Sequence, residues 1–167
     1  MANIVLIGMP GCGKSTVGVL LAKALGMGFL DTDIVLQAQE KTLLQTLLDE
    51  IGIDAFLRRE EEAILTVDAQ DTVIATGGSV VYERGAMRHL HERGKVVYIA
   101  LAYEEIERRL SNLATRGVAL RPGQTLRALY DERVPLYEAE ADVTIKTDGF
   151  NIEQTVAQLA RMLKQSN

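Results

Sequence analysis

Gly8-Met9-Pro10-Gly11-Cys12-Gly13-Lys14-Ser15-Thr16 stands between an apolar run, Ile4-Val5-Leu6-Ile7, and a segment with Val17, Leu20, Leu21 and Ala24 on one helical face. The order is strand, glycine loop, helix. The spacing fits G-x-x-x-x-G-K-[ST], a loop that wraps phosphate. Gly8, Gly11 and Gly13 let the backbone turn tightly and aim its N–H groups at phosphate oxygens. The helix that starts near Lys14 points its partial positive end at the same anion. Lys14 can meet the terminal phosphates as a point charge, and Ser15 can offer its hydroxyl to magnesium. Cys12 and Thr16 complete the nucleotide-binding stretch, with Cys12 read as a space-filling residue.

Outward from this loop, apolar runs of strand length alternate with helical periodicities. Strands are expected over 3–7, 29–30, 73–75, 96–101 and 143–145. Helices are expected over 14–25 with Gly26 as the stop, from Thr42 through Leu48 to a break at Gly52, and over 55–68 capped by Asp54. Further helices fall over 85–93 and 104–110, at Leu126 to Val134, and at Ile152 to Leu163. Strands alternating with helices predict a three-layer α/β/α fold with a five-stranded parallel sheet. Ligands then sit at the carboxyl ends of the strands. Gly8, Asp31, Asp33 and Gly77 all fall just past strand ends and should converge.

Composition limits what such a fold does. The chain has 167 residues, 47% of them apolar, 25% charged, with a net charge of −5. One domain over 1–167 is expected, acting on a small molecule. A nucleic-acid partner is disfavoured, since it calls for a basic patch. The single cysteine suits a reducing cytoplasm. The first apolar run stops at glycine and proline, so no signal peptide or membrane span is expected. A cytoplasmic monomer is the expected state.

Four further groups of residues carry chemistry. Asp31 and Asp33 flank one residue after the second strand; in an extended segment they share a face. One can hold magnesium through water while the other orients or deprotonates a hydroxyl. Their bland use is a turn and helix cap. Thr76-Gly77-Gly78-Ser79 follows a strand, and its paired glycines suit unusual torsions or the close approach of a ligand. Arg58-Arg59-Glu60-Glu61-Glu62 reads either as a solvated face with an Arg58–Glu62 pair or as a source of carboxylate-reading arginines. The polar stretch 111–124 reads as a mobile lid with little apolar anchoring, and Arg116 on it would reach the γ-phosphate on closure. Arg133, before Val134-Pro135-Leu136-Tyr137, is a candidate anion reader. His89 and His91 read as solvated.

With these residues placed, the chain resembles the shikimate kinase family along nearly its whole length. The resemblance rests on the glycine loop with Lys14-Ser15-Thr16, on Phe29-Leu30-Asp31-Thr32-Asp33, on Thr76-Gly77-Gly78 and on Arg133-Val134-Pro135-Leu136-Tyr137. It implies ATP, Mg2+ and phosphorylation of a ring hydroxyl of shikimate. It makes Asp33 the residue that binds the acceptor hydroxyls and acts as base, and puts Asp31 with Ser15 in the magnesium shell. Gly77, Gly78 and Ser79 would line the acceptor pocket, with the acceptor-binding helices over about 33–62. Arg133 would hold the carboxylate, with Arg58 or Arg59 as the second grip, Arg116 would be the lid arginine, and Arg109 would lie near adenine. Three positions depart from the family. Its arginine directly after phenylalanine is Leu57 here, with Arg58 one residue on. Its third glycine is Ser79, and its lid has Arg116-Gly117-Val118 in place of Arg-Pro-Leu-Leu. All three touch the acceptor side. The reading is an ATP-dependent small-molecule kinase, with a kinase of another hydroxylated metabolite, or a nucleotide-binding module without an acceptor, as the alternatives.

Overall fold

The computed structural model describes residues 2–111 and 118–165. Five strands form one parallel sheet: β1 (Asn3–Ile7), β2 (Gly28–Asp31), β3 (Thr72–Ala75), β4 (Gly94–Ala100) and β5 (Val143–Lys146). Their order across the sheet is β2-β3-β1-β4-β5. β1 lies in the middle, with Val5 opposite Ile74 on one side and Val96 on the other. Every residue of β1 is buried, as an apolar run in a sheet covered on both faces must be.

The strand order decides where the helices go. From β1 the chain steps over β3 to β2, then returns through β3 to β4 on the far side. Crossovers of one hand taken in opposite directions land on opposite faces. α1 (Lys14–Leu25) therefore covers one face, where α8 (Ile152–Gln165) packs beside it. α5 (Arg84–Arg93) and α7 (Leu126–Glu140) pack on β4 from the other face. α6 (Tyr103–Ser111) follows β4. No helix among the described residues is long and apolar enough to cross a membrane.

Between β2 and β3 the chain builds three helices: α2 (Thr32–Glu40), α3 (Leu44–Ile51) and α4 (Ile53–Leu65). They close around a small core of their own, with Leu36, Leu47, Phe56, Leu57 and Ala63 buried together. Sequence reading misses α2 because its apolar pattern is weak; only Thr32 and Leu36 are buried on it. α3 starts one residue past Leu43 rather than at Thr42, and Gly52, with φ 77°, ends it and begins α4. A 3-10 turn at Val80–Tyr82, also unforeseen, leads from the Gly77-Gly78 loop towards α5.

Three other expectations change. Arg59, not Arg58, makes the surface pairs of α4, with Glu40 at 3.8 Å and Glu62 at 3.6 Å. His89 is half-buried, with Nε2 2.8 Å from Val67 O, while exposed His91 sits 2.9 Å from Glu140. The described tail of the expected lid, residues 118–124, is tethered rather than loose: Ala119 is buried, its carbonyl accepts from Arg133 Nη2 at 3.1 Å, and Arg121 lies 3.4 Å from Asp54. Residues 112–117, which include Arg116, lie outside the described residues.

Candidate active site

The loop after β1 takes the shape its glycines permit. Gly8, Gly11 and Gly13 have φ of 148°, 78° and 98°, torsions that side chains rarely adopt. Gly8 also needs space: a Cβ there would sit 2.8 Å from Ile99 O. Gly13 precedes α1 in the left-handed region with no side-chain cap, so the first N–H groups of α1 are left for a ligand. Lys14 is buried and folds over the loop, donating to Gly8 O at 2.7 Å and Met9 O at 2.9 Å. The ammonium is held on two loop carbonyls and the Cys12 sulfur beside the anion position, close enough to Asp33 for the two charges to attract. Arg109 on α6 reaches across to the same loop and donates from Nη1 to Gly11 O at 3.1 Å. Cys12 is buried against Lys14, its Sγ 3.6 Å from Nζ.

Ser15 and Asp31 meet at the mouth of this loop. Ser15 Oγ donates to Asp31 Oδ2 at 2.6 Å, and Asp31 Oδ1 accepts from the Asp33 N–H at 2.9 Å. Asp31 is thus the last residue of β2 and the N-cap of α2 at once. The two aspartates do not lie on one extended segment as expected: Asp33 is already in the first turn of the helix. The turn aims Asp33 at Gly77 instead of along the face of Asp31. A hydroxyl and a carboxylate are the hard oxygen donors that magnesium takes, so the pair fits the ion.

The acceptor side is assembled from four separate segments. Asp33 comes from α2, Glu60 from α4, Gly77-Gly78-Ser79 from the loop after β3, and Arg133 from α7. A Cβ on Gly77 would lie 2.8 Å from both Asp33 Oδ1 and Glu60 Oε2. One on Gly78 would lie 2.7 Å from Pro10 Cδ and 3.0 Å from Arg133 Nη1. Neither glycine has a positive φ among those that do. Their reason is close approach, not torsion. Arg133 is 1% exposed, with Nε 3.3 Å from the Tyr82 hydroxyl and its guanidinium 5.2 Å over that ring. The Tyr137 hydroxyl donates to Gly78 O and holds the loop from behind.

Two carboxyls here are pushed up. Asp33 reaches about 6, mainly through burial, then through the charge of Asp31, with Lys14 opposing. Glu60 reaches about 7, again mainly through burial, then through Asp33; the Ser79 hydroxyl and Arg133 oppose. Glu60 escaped sequence reading. It sat in a charge run that reads as solvent-facing, yet it is 3% exposed and Ser79 Oγ lies 2.9 Å from both its oxygens. Its spacing of four from Phe56, on the same helix face, was the available signal. Both line a cavity of about 420 Å³ with Lys14, Ser15, Asp33 and Gly77.

Arg58 is not in that cavity. Its side chain is exposed on the outer face of α4, where its charge acts on Glu83. Leu57 takes the inward position and is 6% exposed in the small helical core.

A family model described as shikimate kinase matches residues 10–164. The chain belongs to the shikimate kinase family. Members of this family are ATP-dependent phosphotransferases that act on a hydroxyl of shikimate. The chain is 39% identical to a shikimate kinase of Paracidovorax citrulli, over 97% of this chain and 92% of that one. It is 38% identical to one from Vibrio vulnificus, over 98% and 97%. A shikimate kinase from Acinetobacter baumannii, solved in complex with shikimate, superposes with a TM-score of 0.92 at 29% identity, covering all of this chain and 95% of that one. The five-stranded parallel sheet with flanking helices is the fold of this family. Use of ATP with Mg2+ follows from membership.

Proposed function

We propose that this chain moves the γ-phosphoryl group of ATP to a ring hydroxyl of shikimate, in the roles set out here. One observation carries the reading: the glycine loop with Lys14, and Asp33, Glu60 and Gly77-Gly78-Ser79, line a single cavity of about 420 Å³, with Arg133 against Gly78. Nucleotide and acceptor can then meet in one space.

Gly11, Gly13 and the first turn of α1, with Ser15 and Thr16, hold the phosphates by backbone N–H groups. Lys14 leaves its loop carbonyls for the phosphate oxygens and neutralises charge as it builds on them. Ser15 and Asp31 would hold magnesium, which supplies charge neutralisation on the phosphate oxygens. Arg109 closes the adenine side. Asp33 faces the acceptor hydroxyl and takes its proton; with a value near 6 it is mostly ionised at pH 7 and still basic enough to accept one. Gly77, Gly78 and Ser79 allow the ring to approach the backbone, and Arg133 meets its carboxylate. Arg116 keeps its place in this reading as the cation that reaches the γ-phosphate. A cytoplasmic monomer is the setting we propose, on the negative net charge and single cysteine.

Coupled ATP turnover, measured with shikimate and a panel of other hydroxy acids and polyols, tests the reading. Shikimate should be the best acceptor. Efficient turnover of a panel member with none of shikimate would replace the substrate. Slow hydrolysis insensitive to every acceptor would indicate a nucleotide-binding module.

A further inference from the structure

Two buried carboxyls line the acceptor pocket, and one buried guanidinium lies against its Gly78. Asp33 Oδ1 and Glu60 Oε2 each lie 2.8 Å from one point over Gly77, so they are no further apart than twice that distance. Arg133 stands on the other side of the loop, behind Gly78. Leu57 stands one helical turn from Glu60. Here that position is apolar and buried, and Arg58 points outward. Among the described residues Glu60 makes no ion pair; its hydrogen-bond partner is the Ser79 hydroxyl, 2.9 Å from both oxygens.

An anionic acceptor brought beside Arg133 meets two acids against one cation. A carboxylate buried without a compensating charge is strongly disfavoured. A proton on Glu60 removes one negative charge, the same change in charge that an arginine would make. It also reverses the hydrogen bond. Neutral Glu60 donates its O–H to Ser79 Oγ, and the Ser79 hydrogen, no longer pointing at Glu60, turns to the cavity that Ser79 also lines.

We propose that Glu60 and Ser79 act as a pair that completes the anion site beside Arg133: Glu60 is a positioning residue that binds a proton, and Ser79 passes the resulting donor to the acceptor's anionic group. This rests on the reading of a carboxylate-bearing acceptor. The charged groups that face Glu60 are Asp33 on α2, Arg133 on α7 and Glu83 at the start of α5. Their net effect, with burial, puts its titration at about pH 7. An acceptor carboxylate is ionised throughout this range, because its ordinary value lies near 4.

The test is the acceptor KM at saturating ATP between pH 6 and 8.5. Wild type should hold a constant KM below about pH 7 and lose affinity about tenfold per unit above it. Glu60→Gln, which cannot ionise, should show a KM that does not change with pH. Ser79→Ala should raise KM at low pH and leave kcat less affected, and Ser79→Thr, which keeps the hydroxyl, should restore the low-pH value. A flat wild-type profile, or a Glu60→Gln profile that still rises, would overturn the pair. An infrared measurement decides the point even if shikimate is not the acceptor: at pH 7 wild type should show a protonated-carboxyl band, and Glu60→Gln should lose all of it but the minor part that Asp33, with a value near 6, contributes. An undiminished band in the variant, or its absence from wild type, overturns the proposal.

Discussion

The phosphate side and the acceptor side of this molecule share one cavity and are built in opposite ways. The proposed phosphate side is one contiguous segment, residues 8–16, which offers backbone N–H groups and one buried lysine. The acceptor side takes single residues from α2, α4, α7 and the loop after β3. Backbone sites depend on torsions, so few sequences can make them. Side-chain sites depend on which residue each helix happens to turn inward, so they can change one residue at a time. The departures from the family pattern noted in the sequence fall on the proposed acceptor side.

The largest test of that contrast is Lys14→Ala. It removes the charge that meets the phosphates and should lower kcat at least about a hundred- to a thousandfold, with circular dichroism unchanged. Activity within tenfold of wild type would mean that the loop does not organise the chemistry. Next comes Asp33→Asn. Loss of the proton acceptor should cost about 10²–10⁴ in kcat while ATP affinity holds. An equal loss in ATP affinity would blur the two sides into one site.

On the acceptor side, Arg133→Met keeps the bulk and removes the guanidinium. It should raise the acceptor KM by about 1.5–3 kcal/mol of lost charged hydrogen bonding, with little change in the KM for ATP. A smaller change should appear in stability. The folded-state value of Glu60 is raised to about 7, so the protein takes up a proton on folding between the ordinary range and pH 7. Stability is therefore highest below about pH 4.5 as far as this group is concerned, and is lost as pH rises through 7. Glu60→Gln should flatten that loss and be more stable than wild type at pH 8 by up to about 3 kcal/mol. Urea midpoints at pH 5 and 8 measure it, and an identical pH dependence in both proteins would contradict the burial of an ionising group. The smallest effect belongs to Arg58→Ala. An exposed side chain on the outer face of α4 should change acceptor KM less than about threefold and stability by less than about 0.5 kcal/mol. A large rise in KM would show that this arginine turns inward when the acceptor binds.

Reading the sequence found the strands and most of the helices because each buries a periodic apolar face. It failed where burial is local and small. α2 has a weak apolar stripe; it forms because Asp31 caps it and α4 packs on it. Glu60 looked solvent-facing because charge runs usually are. Its burial follows from the phase of α4, which turns Phe56, Leu57 and Glu60 inward together.

What the sequence by itself determined is the phosphate loop, the alternation of strand and helix, and the family. These rest on local torsions and short-range periodicity, which neighbouring residues carry among themselves. Only the tertiary structure decided the strand order, the inward turn of Leu57 over Arg58, and the meeting of Glu60 with Ser79 and Asp33. Those depend on which faces of distant helices close on one another, and a one-residue change in helical phase, about 100° of rotation, decides whether a charge meets water or the acceptor.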